Sequence, residues 1–315
     1  MSASTPAGSS YTIDDGDARA PAPALTGILD AAGTAVSWQR PPPPDTTMAG
    51  AGWLQPHACA PLAVAGSAAV DWLERAPPGA VEALAADGPL AVLAMREHVE
   101  RIAALLPATI ALGTIAADPA DTLHALREAL LLGSAPSQTV YGVLAEVFAL
   151  GVLIVGPAGV GKSELALELL ARGHRLVADD AVDLHGLPGA LLSGSAPPLL
   201  HGFLEVRGLG VLDVRRMFGE AALVTRRRVD FLLELLPVRD APTDYRARLA
   251  GLRGEARFLG RTLPTICLPI RVGHNLATLV EAACRDQWLR LEGYRADDAF
   301  AERQQRAIDA QVDEP

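Results

Sequence analysis

Residues 151–163 read G-V-L-I-V-G-P-A-G-V-G-K-S, and the chain continues E-L-A-L-E-L-L-A-R-G to residue 173. Gly151–Val155 is an uninterrupted apolar run with the composition of a buried strand. Gly156, Pro157, Ala158, Gly159, Val160, Gly161, Lys162 and Ser163 keep the spacing G-x-x-x-x-G-K-[ST]. In that pattern glycines let backbone N–H groups curl around phosphate oxygens, and the hydroxyl reaches a magnesium ion. Ser163–Arg172 has the apolar periodicity of a helix, with Gly173 at its expected stop. Strand, loop and helix in this order are the context in which the motif is a phosphate site, and they place the chain in the α/β class. Lys162 is the only lysine among 27 lysines and arginines. A compact ammonium on a flexible stem follows β- and γ-phosphates in a way that a planar guanidinium does not.

Downstream, Arg175–Ala178 reads as a second strand ending in Asp179-Asp180. Two carboxylates at the carboxyl end of a strand beside the loop lie where ligands bind in open α/β sheets. One could hold Mg²⁺ and the other accept a hydroxyl proton; an Asx turn or a helix cap is the alternative. Phe203–Val214, F-L-E-V-R-G-L-G-V-L-D-V, carries Glu205 and Arg207 inside an apolar alternation, with Gly208 and Gly210 allowing a mobile loop. Glu205 and Arg207 could instead be a salt bridge on an exposed strand face. Val140–Val147, Val229–Leu236 and Thr265–Ile270 are further strands, and Asp244–Leu249 is a loop presenting Arg246 and Arg248. Asn275 caps a final helix through Trp288, ending near Gly293, and the residues after Ala301 are polar and expected to fray.

On the amino-terminal side, residues 1–24 are small, polar and proline-rich, as in disordered tails. Residues 25–135 form an Ala/Pro-rich accessory domain without recognisable chemistry. It includes Pro41–Pro44 as a loop or spacer and helices at Val99–Leu106 and Pro119–Leu132. His98 and His124 lie on or beside these helices in structural roles. Residues 136–300 make the catalytic domain and 301–315 a polar tail.

The 315 residues are 50% hydrophobic but only 4% aromatic, so the core is built from Leu, Val and Ala. A net charge of −10 argues against a nucleic-acid binder, whose footprint would be basic. Arg226-Arg227-Arg228 is the local exception, read as a solvated loop or as an anion-contacting patch. Three cysteines without C-x-x-C spacing fit a reducing compartment and no structural zinc. No apolar stretch approaches a membrane span and no basic-then-apolar leader opens the chain, so a cytoplasmic protein is expected.

The runs at 151–182, 203–219 (F-L-E-V-R-G-L-G-V-L-D-V-R-R-M-F-G) and 263–277 (L-P-T-I-C-L-P-I-R-V-G-H-N-L-A) resemble HPr kinase/phosphorylase, the bifunctional serine kinase of the bacterial phosphotransferase system. The resemblance is dense from 139 to 296, and R-G-H-R-L-V-A-D-D is its most specific part. It implies a phosphoenolpyruvate-carboxykinase-like P-loop kinase domain with a separate, smaller α/β amino-terminal domain. It also implies ATP and Mg²⁺, with HPr and inorganic phosphate as partners in a homohexamer. ATP would phosphorylate a serine of HPr, and phosphate would remove that group again. Gly156–Ser163 would cradle the nucleotide, Lys162 would neutralise the moving phosphoryl group, and Ser163 and Glu205 would hold the metal. Asp179-Asp180 would supply the proton acceptor, with ungapped counting favouring Asp180, and Arg246 or Arg248 would meet the phosphates. Segment 204–213 would serve both directions and 267–272 mainly dephosphorylation.

Two departures from the family pattern stand out. Tyr141 occupies the place of a histidine that family members hold near the phosphates, and His274 replaces an arginine of G-R-N. Kinase activity is therefore expected to persist and phosphorolysis to be weaker than the family norm. Pro157 and Ala158 replace Asp-Ser in the loop, which removes polarity and keeps the backbone cradle. The alternatives are a P-loop kinase of another acceptor, separated by a labelled-ATP assay with HPr, and a non-catalytic nucleotide-binding regulator. A Lys162→Ala variant that kept its cellular effect would favour the regulator.

Overall fold

The computed structural model describes residues 22–55, 60–77, 79–237, 251–270 and 275–312. They divide between two compact units that meet in the chain at Pro136 and Ser137.

The first unit is a five-stranded sheet in the order β1-β5-β4-β3-β2, with β1 Ser37–Arg40, β2 Ala51–Trp53, β3 Leu62–Ala65, β4 Ala91–Met95 and β5 Ala111–Ile115. β2 through β5 run parallel and β1 is antiparallel to β5. β3 is L-A-V-A, buried throughout, as expected of a strand covered on both faces. One face is covered by α1 Leu25–Ala31 and α5 Pro119–Gly133 through Ile28, Leu123, Leu126 and Leu130. The other is covered by α2 Ser67–Arg75, α3 Ala80–Asp87 and α4 Arg96–Leu105 through Val70, Leu73, Val99 and Ile102. α5 starts where its sequence dictates. Asp118 caps it, accepting from the Ala120 N–H at 2.7 Å, and Pro119 fills the first helical position.

The second unit has a six-stranded sheet in the order β16-β17-β15-β8-β7-β9 and a four-stranded antiparallel sheet in the order β14-β11-β10-β6. The strands of the first sheet are β7 Val143–Val147, β8 Leu150–Val155, β9 Arg175–Ala178, β15 Phe231–Pro237, β16 Leu252–Phe258 and β17 Arg261–Ile270. Those of the second are β6 Ser137–Tyr141, β10 Ala181–Leu187, β11 Leu191–Ser195 and β14 Arg226–Arg228. β17, β15 and β8 are parallel, the arrangement that brings loop ends together at one edge. Between the two sheets lies a core of Val140, Leu144, Leu153, Val177, Leu184, Phe258 and their neighbours. On the far face of the six-stranded sheet, Val152, Ile154, Leu233 and Leu235 pack with Leu165 and Leu169 of α6 Lys162–Ala171. Val280 and Cys284 of α8 Leu276–Leu291 join the same core.

Three expectations are corrected here. Val140–Val147 is two strands broken at Gly142, where the chain passes from one sheet to the other. A Cβ at 142 would fall 2.6 Å from the Ile154 carbonyl oxygen, so only glycine fits. Arg226–Arg228 is strand β14, paired with Ser193–Ser195, not a solvated loop. Arg227 lies 3.0 Å from the buried Glu146 carboxylate, which also takes Arg175, and Arg228 pairs with Asp230. Glu146, brought in from β7, and the nearby Asp230 make a run of three arginines compatible with a sheet. Finally, residues 302–312 are helical rather than frayed: α9 spans Ala296–Val312, and 313–315 lie outside the described residues. Its first turn carries Asp297 and Asp298, favourable at the positive end of the helix dipole, and Arg290 bonds Asp297 at 2.7 Å. Asn275 caps α8 as expected, accepting from Thr278 N–H at 3.1 Å, but α8 is not the last helix.

Candidate functional site

β8 delivers the chain directly into the loop Gly156–Gly161. Its neighbour β15 is so close that a Cβ at 156 would fall 2.7 Å from the Leu235 carbonyl oxygen. Gly159 and Gly161 adopt left-handed φ values of 74° and 99°, which strain any residue with a Cβ. Gly161 is the N-cap of α6 and offers no side-chain cap, so the first-turn N–H groups of that helix are free for an anion. The Lys162 ammonium folds back onto the loop, donating to the carbonyls of Gly156 at 3.0 Å and Pro157 at 3.2 Å.

Ser163, one residue into the helix, donates its hydroxyl to both oxygens of Asp179, at 3.1 and 3.2 Å. The same carboxylate accepts the backbone N–H of Glu205 at 3.1 Å. Asp179 is only 4% exposed, and this burial holds its carboxyl above the usual range, opposed by the bonds from Glu205 and Ser163. Three elements are therefore tied at one point: α6, β9 through the residue after it, and the hairpin of β12 Phe203–Val206 and β13 Gly210–Asp213.

Asp180 differs from its neighbour in every respect. It is exposed, its φ is +67°, and the Ala181 N–H reaches back over it to the Asp179 carbonyl at 2.8 Å. An i→i+2 bond around a residue of positive φ is a strained γ-turn, of the kind that collects at active sites. The Asp180 carbonyl is pinned by the Gly142 N–H at 3.0 Å. Tyr141, opposite Ala181 in the β6–β10 pair, is 77% exposed.

Glu205 stands exposed on β12. Among the described residues it forms no salt bridge with Arg207. The Arg207 guanidinium instead lies over the loop, and a Cβ at Gly159 would be 3.3 Å from its Nη2. Gly208 and Gly210, with φ of 86° and 81°, flank the tight hairpin turn that carries it there. Arg207 is a residue whose place sequence reasoning did not find. The charge inside an apolar alternation was the available signal, but the contact joins residues 48 positions apart. A second residue of this kind is Glu234. It is buried on β15, level with Val155 of β8, and accepts the Cys267 thiol at 3.4 Å. Burial beside Glu234 pushes that thiol up to about 12, which makes Cys267 inert as a nucleophile.

Arg246, Arg248 and His274 lie outside the described residues, as do positions 271 and 272 of segment 267–272. The remaining sequence-selected residues, Tyr141, Gly156–Ser163, Asp179, Asp180 and Glu205, all belong to the loop or to segments hydrogen-bonded around it. Among the described residues no three His, Cys, Asp or Glu side chains form a metal cluster by themselves. A hydroxyl and one or two carboxylates are nevertheless the donor set that suits Mg²⁺, which completes its shell with phosphate oxygens and water.

The family model for the HPr Serine kinase C-terminal domain matches residues 133–304. The HPr kinase/phosphorylase of Bordetella petrii is 46% identical over 174 residues, 55% of this chain and 56% of that protein. The HPr kinase/phosphorylase of Chromobacterium violaceum is 41% identical over 194 residues, 61% of each. This chain thus matches little more than half the length of its curated relatives. A solved structure, the Hpr(Ser) kinase/phosphatase from Coxiella burnetii, is 37% identical and covers 49% of this chain and 99% of that one, with a TM-score of 0.46.

Proposed function

Because the chain belongs to the HPr serine kinase C-terminal-domain family, we propose that it transfers the terminal phosphoryl group of ATP to a serine of the carrier protein HPr. In reverse, inorganic phosphate takes the phosphoryl group from phosphoserine, leaving pyrophosphate and the free hydroxyl. The observation that carries this reading is the joining of Ser163, Asp179 and the Glu205 backbone at the mouth of a glycine loop. That loop has the backbone geometry of a phosphate cradle.

Phosphoryl transfer asks a protein for positioning and charge stabilisation more than for covalent chemistry. The free N–H groups of the loop and of α6 would hold the β- and γ-phosphates. Lys162 would exchange its two carbonyl partners for phosphate oxygens. Arg207 would add a second cation above Gly159, neutralising charge on the moving group. Ser163 and Glu205 would hold Mg²⁺, with Asp179 orienting the Ser163 hydroxyl, and the ion would supply charge neutralisation. Asp180, exposed and fixed by its turn, would accept the proton of the incoming serine and return it in the reverse direction. Its solvent-facing position favours it over the buried Asp179, whose oxygens are already occupied. Arg246 or Arg248 would complete the phosphate contacts.

The reading extends, on the same resemblance, to a phosphoenolpyruvate-carboxykinase-like P-loop fold and a cytoplasmic homohexamer. Incubation with γ-labelled ATP and purified HPr tests the function. Label on an HPr serine supports it; an unlabelled HPr, with ATP still bound by the protein, overturns it in favour of another acceptor or a nucleotide-binding regulator.

A further inference from the structure

We propose that the crevice at the carboxyl ends of β4 and β5, in the unit of residues 18–136, binds a small anionic metabolite through Arg96. This site is separate from the phosphoryl-transfer site and does not depend on its reading.

The topology opens the crevice. The chain leaving β4 turns into α4, whose Val99 and Ile102 pack on one face of the sheet. The chain leaving β5 turns into α5, whose Leu123, Leu126 and Leu130 pack on the opposite face. β4 and β5 are adjacent and parallel, so their outgoing connections diverge between them. Such a switch point, outside the carboxyl ends of parallel strands, is where open α/β sheets take ligands. Here the gap has a volume of about 390 Å³, at the lower end of small-molecule sites, so it suits a metabolite rather than a dinucleotide.

Its lining is amphipathic. Met95 and Ile115 supply apolar walls, and Ser37 and Thr114 supply hydroxyls. Ser37 and Thr114 are direct cross-strand partners, so both side chains stand on the same face of the sheet. The charges are Arg96 and Glu97, the first two residues of α4. Glu97 is directed to His98, 3.5 Å away. Arg96 has no hydrogen bond or ion pair with any described residue. A cation in the first helical turn also opposes the helix dipole, offset here by Glu97 in the same turn and by the solvent to which Arg96 is exposed. An anion in the crevice would supply the missing partner, and a carboxylate or a phosphate would do so equally.

The test uses the full chain carrying Lys162→Ala, which disables the loop of the other unit, with ¹³C-methyl-labelled methionine. Met95 lines the crevice, and Met48, fully buried in the core that α1 and α5 cover, is the internal control. The probes are inorganic phosphate, glycerol 3-phosphate and succinate, with glycerol as the neutral comparison. The expected result is a saturable shift of the Met95 signal with phosphate-bearing or dicarboxylate probes, none with glycerol, and Met48 unmoved. Which probe saturates tells phosphate from carboxylate. Arg96→Gln should weaken the response at least about ten-fold, and Thr114→Val gives a second lesion if that variant is poorly folded by its Met48 signal. The proposal is overturned by no saturable Met95 shift up to about 10 mM of any anion, by an equal response to glycerol, or by unchanged titrations in both variants.

Discussion

The Ser163 hydroxyl donates to both carboxylate oxygens of Asp179, binding the first turn of α6 to the end of β9. Asp179 is thereby a buried anchor. Burial disfavours its charge, so its native pKa is raised above the unfolded one. Above both values the group is ionised in both states, and the desolvation counts in full against folding. As pH falls through the raised native value toward the unfolded one, the native carboxyl protonates first and that penalty is relieved. Asp179→Asn resembles the protonated form at every pH. It should therefore be more stable than the parent at pH 7, with the gain shrinking toward pH 4. Thermal unfolding across that range measures it. A pH-independent difference would mean that burial is not the dominant influence on Asp179.

Arg207 is held over Gly159 by the β12–β13 hairpin and should contribute to transfer rather than to folding. Arg207→Ala should lower kcat by roughly 10²-fold, the cost of losing one preorganised charge donor, with thermal stability nearly unchanged. Arg207→Lys should recover only part of the loss, because an ammonium lacks the planar fork. Steady-state kinetics at saturating ATP provide the check.

The contrast between Arg207 and the loop shows what was legible before the structure. Gly151–Val155 and Arg175–Ala178 could be read directly, since their burial follows from local apolar composition. Gly156, Gly159 and Gly161 could be read because each glycine answers a backbone need. What could not be read depends on partners that the local apolar pattern does not mark. β14 is a strand because Glu146 and Asp230 neutralise Arg227 and Arg228 and because Ser193–Ser195 pairs with it. α9 persists because Arg290 anchors its start and Gln305 bonds Asp309 along its length. The difference between Asp179 and Asp180, two identical residues in sequence, is a matter of burial and one strained turn.

Tyr141 projects from β6 beside that turn. A phenol does not exchange protons near neutrality as an imidazole does. Tyr141→His should therefore raise phosphorolysis relative to phosphorylation several-fold. Both directions, assayed on one preparation with HPr and its phosphoserine form, give the ratio. An unchanged ratio would remove Tyr141 from the account of direction.

A stability prediction comes from the two-residue turn between β7 and β8. Phe148 and Ala149 have φ of 48° and 62°, values that favour glycine, and Ala149 is exposed. Phe148 is engaged, its ring 4.9 Å from His174 and its carbonyl accepting the Trp288 indole N–H at 3.1 Å. Ala149 has only its carbonyl in use, bonded by Arg227. Ala149→Gly should stabilise this unit by about 0.5–1 kcal/mol, the left-handed strain relieved less the entropy glycine loses. Urea denaturation measures the change.

The claim on which the mechanism turns is that Asp180, not Asp179, takes the proton of the acceptor serine. Single-turnover transfer of labelled phosphoryl from ATP to HPr, by the parent and by Asp180→Asn, tests it most directly. The account predicts a loss of about 10²–10⁴-fold in the transfer step with ATP affinity retained. Transfer at the parental rate in Asp180→Asn would contradict it.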